Sequence, residues 1–433
     1  MVKKYGVTPV KETIFDITQF GAIGDGKTDD TASIQASLDK AAENGGGIVY
    51  IPEGTYMVRV TDADGEQTAT APWITTRGLK VDSNTTLVFD KNAKLSAIPN
   101  NSWSYTMFNL KDVHDVNILG GELIGDRANH DTKYTQSFRR SPSYQGETGW
   151  GILLAGSQNV KIIGNNIHDF WGDGIDLYGE NGLDKNNENI TIKDNVIDHN
   201  RRQGISIENA DGVLIEGNTI SNTNGTTPQS GIDIEPTNWA NTSMRKANNI
   251  TIRNNTFKNN NGSGVQTYGM SSHAEGFENG PTEISNLVID QNVFDGNNTN
   301  AWNIQDKGGW DKAFNGQLTI LGVDYAKVTN NKFINPNPAG MNAVNGDSGQ
   351  EEPANAYPTA GIYDGYNKSV DIEGNYLPGQ YIVVAGGRSL NYRYPENAGT
   401  IKDNTLNKII VDQAISENTR NNDIHVENNT TGK

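Results

Sequence analysis

ITIRNNTF, residues 250–257, runs from a β-branched stretch into an Asn pair and ends on an apolar side chain. Ile250, Thr251 and Ile252 alternate apolar and polar, the period of a strand buried on one face. Asn tolerates left-handed backbone, so Asn254 and Asn255 mark a tight turn. The theme returns as VKIIGNNI (160–167), ITIKDNVI (190–197), VLIEGNTI (213–220), LVIDQNVF (287–294), AKVTNNKF (326–333), VDIEGNYL (370–377) and GTIKDNTL (399–406). The sixth residue is Asn each time: Asn165, Asn195, Asn218, Asn255, Asn292, Asn331, Asn375 and Asn404. They follow one another at intervals of 23 to 44 residues. A constant motif at variable intervals is the pattern of a solenoid whose loops grow between coils.

Each coil carries a second strand: GILL from Gly151, GIDL from Gly174, GISI from Gly204, GIDI from Gly231 and GVQT from Gly264. Alternation turns the first and third residues after the Gly inward. One coil cannot bury that face alone, so coils must stack. At ~4.8 Å between coils the repeated Asn side chains can bond as a ladder, which is a structural role. The predicted fold is all-β, a single-stranded right-handed parallel β-helix with an N-terminal capping helix. The hand follows the usual crossover preference. Residues 1–56 read as cap and first coil, and 57–433 as one continuous β-helix with loop insertions.

The cap is expected because a solenoid end exposes unpaired strand edges and an apolar cross-section. DTASIQASLDKAAEN supplies a helix with Asp29 or Asp30 as N-cap and Ile34, Leu38, Ala41 and Ala42 on one face. Gly45–Gly47 stop it, and IVYIP begins the first coil. The surrounding segment, FDITQFGAIGDGKTDDTASIQASLDKAAENGGGIVYIPEGTY (15–56), resembles the N-terminal segment of the pectate-lyase-like superfamily. That superfamily holds polygalacturonases, rhamnogalacturonases, alginate epimerases and phage tailspike or appendage depolymerases. The resemblance implies the β-helix and action on polysaccharide. Gly24-Asp25-Gly26 is not read as a nucleotide loop, because the helix it opens is a cap.

Composition excludes several classes. The 433 residues are 34% apolar with 48 Gly, which suits short strands and tight turns better than a thick helical core. Net charge is −17, from 35 Lys and Arg against 52 Asp and Glu, and no basic stripe invites nucleic acid. Cys is absent, so neither disulfides nor thiolate zinc sites arise. No apolar run is long enough to span a membrane. MVKKYGVTPVKE lacks the apolar stretch of a signal peptide. The expected setting is extracellular or virion-associated, with a polysaccharide partner and either a monomer or a homotrimer.

Chemistry is expected on the outer side of the second strands. Aligned by their Gly, successive coils place Leu153, Asp176, Ser206, Asp233 and Gln266 at the first outward position. Tyr178, Glu208, Glu235 and Tyr268 take the next, and Asp173, Gln203, Ser230 and Ser263 precede the Gly. Asp173, Asp176, Glu208, Asp233 and Glu235 then form an acidic face, whose competing reading is a solvated surface. Stacked like charges repel, which argues against an idle surface. Ideal spacing puts Asp176 roughly 9–10 Å from Asp233 and roughly 8 Å from Glu208. Inverting glycosidases separate their carboxyl groups by roughly 6.5–9.5 Å. His199, Arg201 and Arg202 stand at the entry to the Glu208 strand, either neutralising the acids or binding an acidic sugar. Trp150, Trp171 and Trp239 flank these strands, and with Tyr178 and Tyr268 offer rings for sugar faces.

The superfamily comparison carries Asp173 as a catalytic candidate, since GDGID (172–176) resembles the polygalacturonase NTDGID. QGISIEN (203–209) resembles GHGISIGS with Gln203 in place of His. The paired-Asp, Arg-Ile-Lys and DPHE motifs of the family are missing, so a standard polygalacturonase or epimerase is not expected. No cofactor is required, and calcium is the metal that such hard oxygen ligands would suit. The expectation is a polysaccharide-degrading enzyme, a glycoside hydrolase using paired carboxylates. Its rivals are a polysaccharide lyase or uronate C5-epimerase, and a non-catalytic glycan-binding protein or adhesin.

Overall fold

The computed structural model describes residues 2–61, 78–102, 104–131, 148–179, 185–226, 228–236, 246–269, 284–298, 316–336, 360–365, 367–385, 398–411 and 424–432. They fall into two compact units, residues 1–206 and 207–433, each a stack of coils with three parallel sheets. This is the right-handed parallel β-helix that the repeat requires. Among the described residues, regular helix is limited to Thr31–Glu43 and three short 3-10 turns, Val2–Tyr5, Ile17–Phe20 and Arg127–Asn129.

In the first unit, one sheet joins Ile14–Asp16, Gly47–Ile51, Thr85–Phe89, His114–Leu119, Gln158–Ile163 and Asn187–Lys193. Register places Ile118 beside Ile162 and Ile162 beside Ile192, all fully buried. The second sheet aligns Leu123, Ile167 and Ile197, and the third aligns Leu110, Leu154 and Leu177. Each such side chain gains ~1.5–3 kcal/mol by leaving water, and the gain exists only when a neighbouring coil is present.

The second unit repeats the plan. Ile215, Ile252, Ile289, Val328, Ile372 and Ile401 form one inward column. Phe257, Phe294 and Phe333 form another, in register and stacked at 5.0 and 4.6 Å between ring centroids.

The Asn ladder forms as expected. Asn165 donates its backbone N–H and Nδ2 to Asn195 Oδ1 at 2.9 and 3.0 Å. In the second unit the same double bond runs from Asn218 through Asn255, Asn292, Asn331, Asn375 and Asn404 to Asn429. The left-handed residue is not the ladder Asn but the one before it. Asp194, Asn254, Gln291, Asn330 and Asp403 have φ of 54–56°, and Gly164, Gly217 and Gly374 have 65–69°. That conformation turns the chain from one sheet to the next and explains why Gly, Asn and Asp dominate there.

A second internal ladder was not anticipated. Asn260 donates to Asn297, Asn297 to Gln317 and Gln317 to Gln380, so Gln continues what Asn begins. The Gly that opens each second strand is set by space. A Cβ on Gly174 would lie 2.8 Å from the Gly204 carbonyl oxygen, and one on Gly231 would lie 2.5 Å from that of Gly264.

The N-terminal segment departs from expectation in detail. The first coil begins before the helix, because Ile14–Asp16 pairs in parallel with Gly47–Ile51 and Asp25–Asp29 pairs with Gly54–Val58. The helix buries Ile34, Leu38 and Ala41, whereas Ala42 is half-buried. Asp30 sits at the N-cap position without a side-chain cap bond. Its buried carboxylate instead accepts the N–H groups of Ile23 and Gly24 at 2.7 and 3.1 Å, holding the glycine-rich turn. Asp29 accepts the Thr31 N–H. Ahead of all this, Val2 and Tyr5 pack on an outward apolar cluster of Val7, Ile48, Val88, Leu119 and Ile163.

Candidate functional site

The first unit contains Asp173 and Asp176, and both are buried, at 0% and 1% exposure. Ile175 and Leu177 point into the core, so alternation aims Asp176 outward, in register with Leu153. The expected acidic surface is therefore corrected: these carboxylates are outward but covered. Arg202 Nη1 donates to Asp173 Oδ2 at 3.0 Å, which offsets part of the cost of burying that charge. Of the two roles expected for Arg202, neutralising the acid is the one the geometry displays.

The rings and bases near these acids differ from expectation. Trp171 is 5% exposed, buried rather than presented at the surface. The Arg201 guanidinium lies 4.0 Å from its ring, and Arg201 Nη1 donates to the Trp171 carbonyl at 3.1 Å. Trp150 is not in a loop, because the strand is Thr148–Ala155 and longer than the GILL core suggested. It is 3% exposed and tilts against half-buried Tyr178 at 6.1 Å. His199 is exposed and left-handed, with Nδ1 2.6 Å from Asp198 Oδ2, while its carbonyl accepts from Arg127.

Trp171 leads to residues that sequence reasoning missed. His130 stacks on it at 4.1 Å and 19°. Its Nδ1 lies 2.8 Å from Asp126 Oδ2, and both side chains are fully buried. The same carboxylate accepts the Tyr105 hydroxyl at 2.8 Å and the Asn100 N–H and Nδ2 at 3.1 and 2.8 Å. Tyr105 in turn accepts the Trp171 N–H at 3.0 Å. Burial first, then the Asp126 charge, holds the Tyr105 phenol well above its ordinary range, so it remains a donor. The signal was present as Asp126 and His130, four residues apart, directly after the strand Glu122–Ile124.

The second unit contains Glu208, Asp233 and Glu235. Asp233 is 0% exposed and in register with Gln266, whose Oε1 accepts from Ser230 at 2.9 Å. The polar column continues to Thr319, bonded to Ser263 at 2.9 Å. Glu208, Glu235 and Tyr268 are half-buried. The Glu235 N–H bonds the Ile207 carbonyl, and the Tyr268 N–H that of Ile234. Ser206 and Gln203 are buried, as are Ser230 and Ser263. Trp239 and the stretch 134–147 ahead of Trp150 lie outside the described residues. Among the described residues no three His, Asp or Glu side chains gather as a metal site, and no helix is long and apolar enough to cross a membrane.

Comparison with known proteins agrees with this architecture. Residues 150–352 match the family model for a right handed beta helix region. Residues 14–68 match that for rhamnogalacturonase A/epimerase, pectate lyase-like. The uncharacterized protein YclG of Bacillus subtilis is 35% identical over 233 residues, which are 52% of this chain but 38% of that protein. The A-module of Azotobacter vinelandii mannuronan C-5 epimerase AlgE4 superposes with a TM-score of 0.61 at 16% identity, covering 97% of this chain and 96% of that one. The catalytic unit of a GH87 alpha-1,3-glucanase from Streptomyces thermodiastaticus gives 0.56 at 16% identity, covering 99% and 71%. At such identities the superpositions speak for the fold alone. With both matches on a three-sheet coil of this register, the chain is a right-handed parallel β-helix whose residues 14–68 are similar to the pectate-lyase-like family.

Proposed function

We propose that the chain degrades a polysaccharide by glycoside hydrolysis, acting outside cells or from a virion surface, where such polymers are met. The observation that carries the reading is the burial of Asp176 and Asp233 on the outward side of their strands, with Asp173 buried in the turn that leads into the Asp176 strand. Charges that serve only solubility stay in water, since burial costs them their hydration. Carboxylates kept in such places suit acid and base work, one group protonating the glycosidic oxygen and another activating water. The candidates are Asp173 and Asp176 in the first unit and Glu208, Asp233 and Glu235 in the second, each assigned on its own position.

One observation favours hydrolysis of a neutral or amino sugar over elimination or epimerisation of a uronate. Arg202 is engaged with Asp173 and Arg201 with Trp171, so both are committed within the protein. The test is a polysaccharide panel read by reducing ends and product mass, with Asp176→Asn, Asp233→Asn and Glu208→Gln beside the parent. Each variant should lose on the order of 10²-fold or more in rate while staying folded. Unsaturated products, or wild-type turnover in all three variants, would refute hydrolysis. Affinity without any cleavage would favour the glycan-binding alternative.

A further inference from the structure

The inward column of the second unit changes character at its last coil. Ile372 and Ile401 are 0% and 2% exposed, but Val426, the next in register, is 52% exposed. The strand Ile424–Glu427 is the last of its sheet, and among the described residues nothing pairs with its far side. Its backbone faces that side in a defined pattern. The Glu427 carbonyl accepts the Asp403 N–H, so Glu427 faces back toward the strand Gly399–Lys402. Alternation then turns the N–H and C=O groups of Ile424 and Val426 to the open side. The Asn ladder stops in the same coil. Each earlier rung of the second unit gives its N–H to the next Asn, and Asn429 is the last rung among the described residues. An open strand edge beside apolar surface is a template for another strand.

We propose that Ile424–Glu427 is a dimerisation edge, which pairs antiparallel with the same strand of a second copy about a two-fold axis through Val426. The segment is its own complement in that register. Val426 meets Val426, and each gives its N–H to the other's carbonyl. Their side chains, open in the single chain, cover one another at the end of the core. On the outward side His425 stands opposite Glu427 of the second copy, twice, a ring N–H donor against a carboxylate. Moving the axis to His425 sets His against His and separates Glu427 from its donor. A two-fold contact uses the same edge on both copies and closes, whereas head-to-tail addition would present a fresh edge at every step. The inference is independent of the reading of the chain as glycan-active.

Sedimentation velocity over a concentration series tests it, and the parent should pass from monomer to dimer. Val426→Lys sets two ammonium groups against each other and should raise the dissociation constant about tenfold or more. His425→Glu sets carboxylate against carboxylate and should weaken the dimer likewise. Combining His425→Glu with Glu427→His exchanges the pair and should restore the parent's dissociation constant. Circular dichroism verifies that each variant is folded; should Val426→Lys fail to fold, His425→Glu and the exchanged pair decide. The chain has no Cys, so a single introduced one reports the contact directly. Val426→Cys should give a covalent dimer on mild oxidation, because paired Cα atoms in this register stand ~5.5 Å apart, within disulfide reach. Lys327→Cys, exposed on the outward face of the strand Tyr325–Thr329, should not. A parent that stays monomeric at every concentration, one that forms trimers or longer chains, or a dimer indifferent to His425→Glu overturns the proposal.

Discussion

Removing Asn255 should cost far more than removing Asn249, although both lie in one strand-and-turn motif. Asn255 is 1% exposed. Its Oδ1 accepts the Asn218 backbone N–H at 2.8 Å and Asn218 Nδ2 at 2.9 Å. Its Nδ2 donates to the carbonyls of Ile215 and Arg253 at 2.9 and 3.0 Å and to Asn292 Oδ1 at 3.0 Å. In Asn255→Ala the buried Asn218 N–H loses this acceptor and the Ile215 carbonyl loses this donor. Asn292 Oδ1 keeps the backbone N–H of residue 255. An orphaned buried donor costs about 1–3 kcal/mol. The second group and the small void bring the expected loss to about 3 kcal/mol, within a range of about 2–5. Asn249 is exposed and left-handed, donates to Asp211 at 2.7 Å and accepts from Asn286 at 3.1 Å, both at the surface. Asn249→Gly suits that backbone, and water replaces both bonds, so the loss should stay under about 0.5 kcal/mol. Equilibrium urea unfolding followed by circular dichroism, at unchanged m, measures both. Equal losses, or Asn255→Ala within about 0.5 kcal/mol of the parent, would refute the internal ladder as a source of stability.

Deleting residues 1–47 removes the strand Ile14–Asp16, the helix and the cover over Val88, Leu119 and Ile163. The truncated chain should aggregate or melt several degrees lower, and an unchanged melting temperature in a soluble product would contradict the capping role. Burial, then the charges of Asp16 and Asp30, pushes the Tyr56 phenol up to about 12. The folded state therefore binds that proton more tightly than the unfolded chain, whose phenol titrates near 10. The stability is fully present below pH 10 and fades as pH rises toward 12, by up to about 3 kcal/mol. Tyr56→Phe should lack this component, so the gap between parent and variant in urea midpoint should change between pH 9 and 11.5; a constant gap would contradict it.

The solenoid was legible because its signal is local. Each coil repeats a period-two strand, a left-handed turn and an inward Asn, and none of these depends on distant residues. The second ladder was hidden because Gln317 and Gln380 replace Asn, Gln317 from within the strand Gly316–Leu321 and Gln380 from just ahead of Tyr381–Ala385. Asp173 and Arg202 were both singled out, yet their pairing follows from a turn geometry that the sequence does not encode in a spacing rule. Exposure was misjudged for Asp176, Trp150 and Trp171, since alternation tells which side of a strand a residue takes but not what covers that side. His130 escaped notice for a related reason. Its partners Tyr105, Asp126 and Trp171 come from separate coils, and only the stacking of those coils brings them together.

We propose that the chain cleaves a glycan with water. Running the reaction on the panel's responsive polysaccharide in 18O-enriched water reads this directly. Hydrolysis predicts one 18O atom at each new reducing end, saturated products, and loss of that signal in Asp176→Asn. Products that are unsaturated and free of 18O, or a polymer whose length never changes while the protein remains bound to it, would contradict the account.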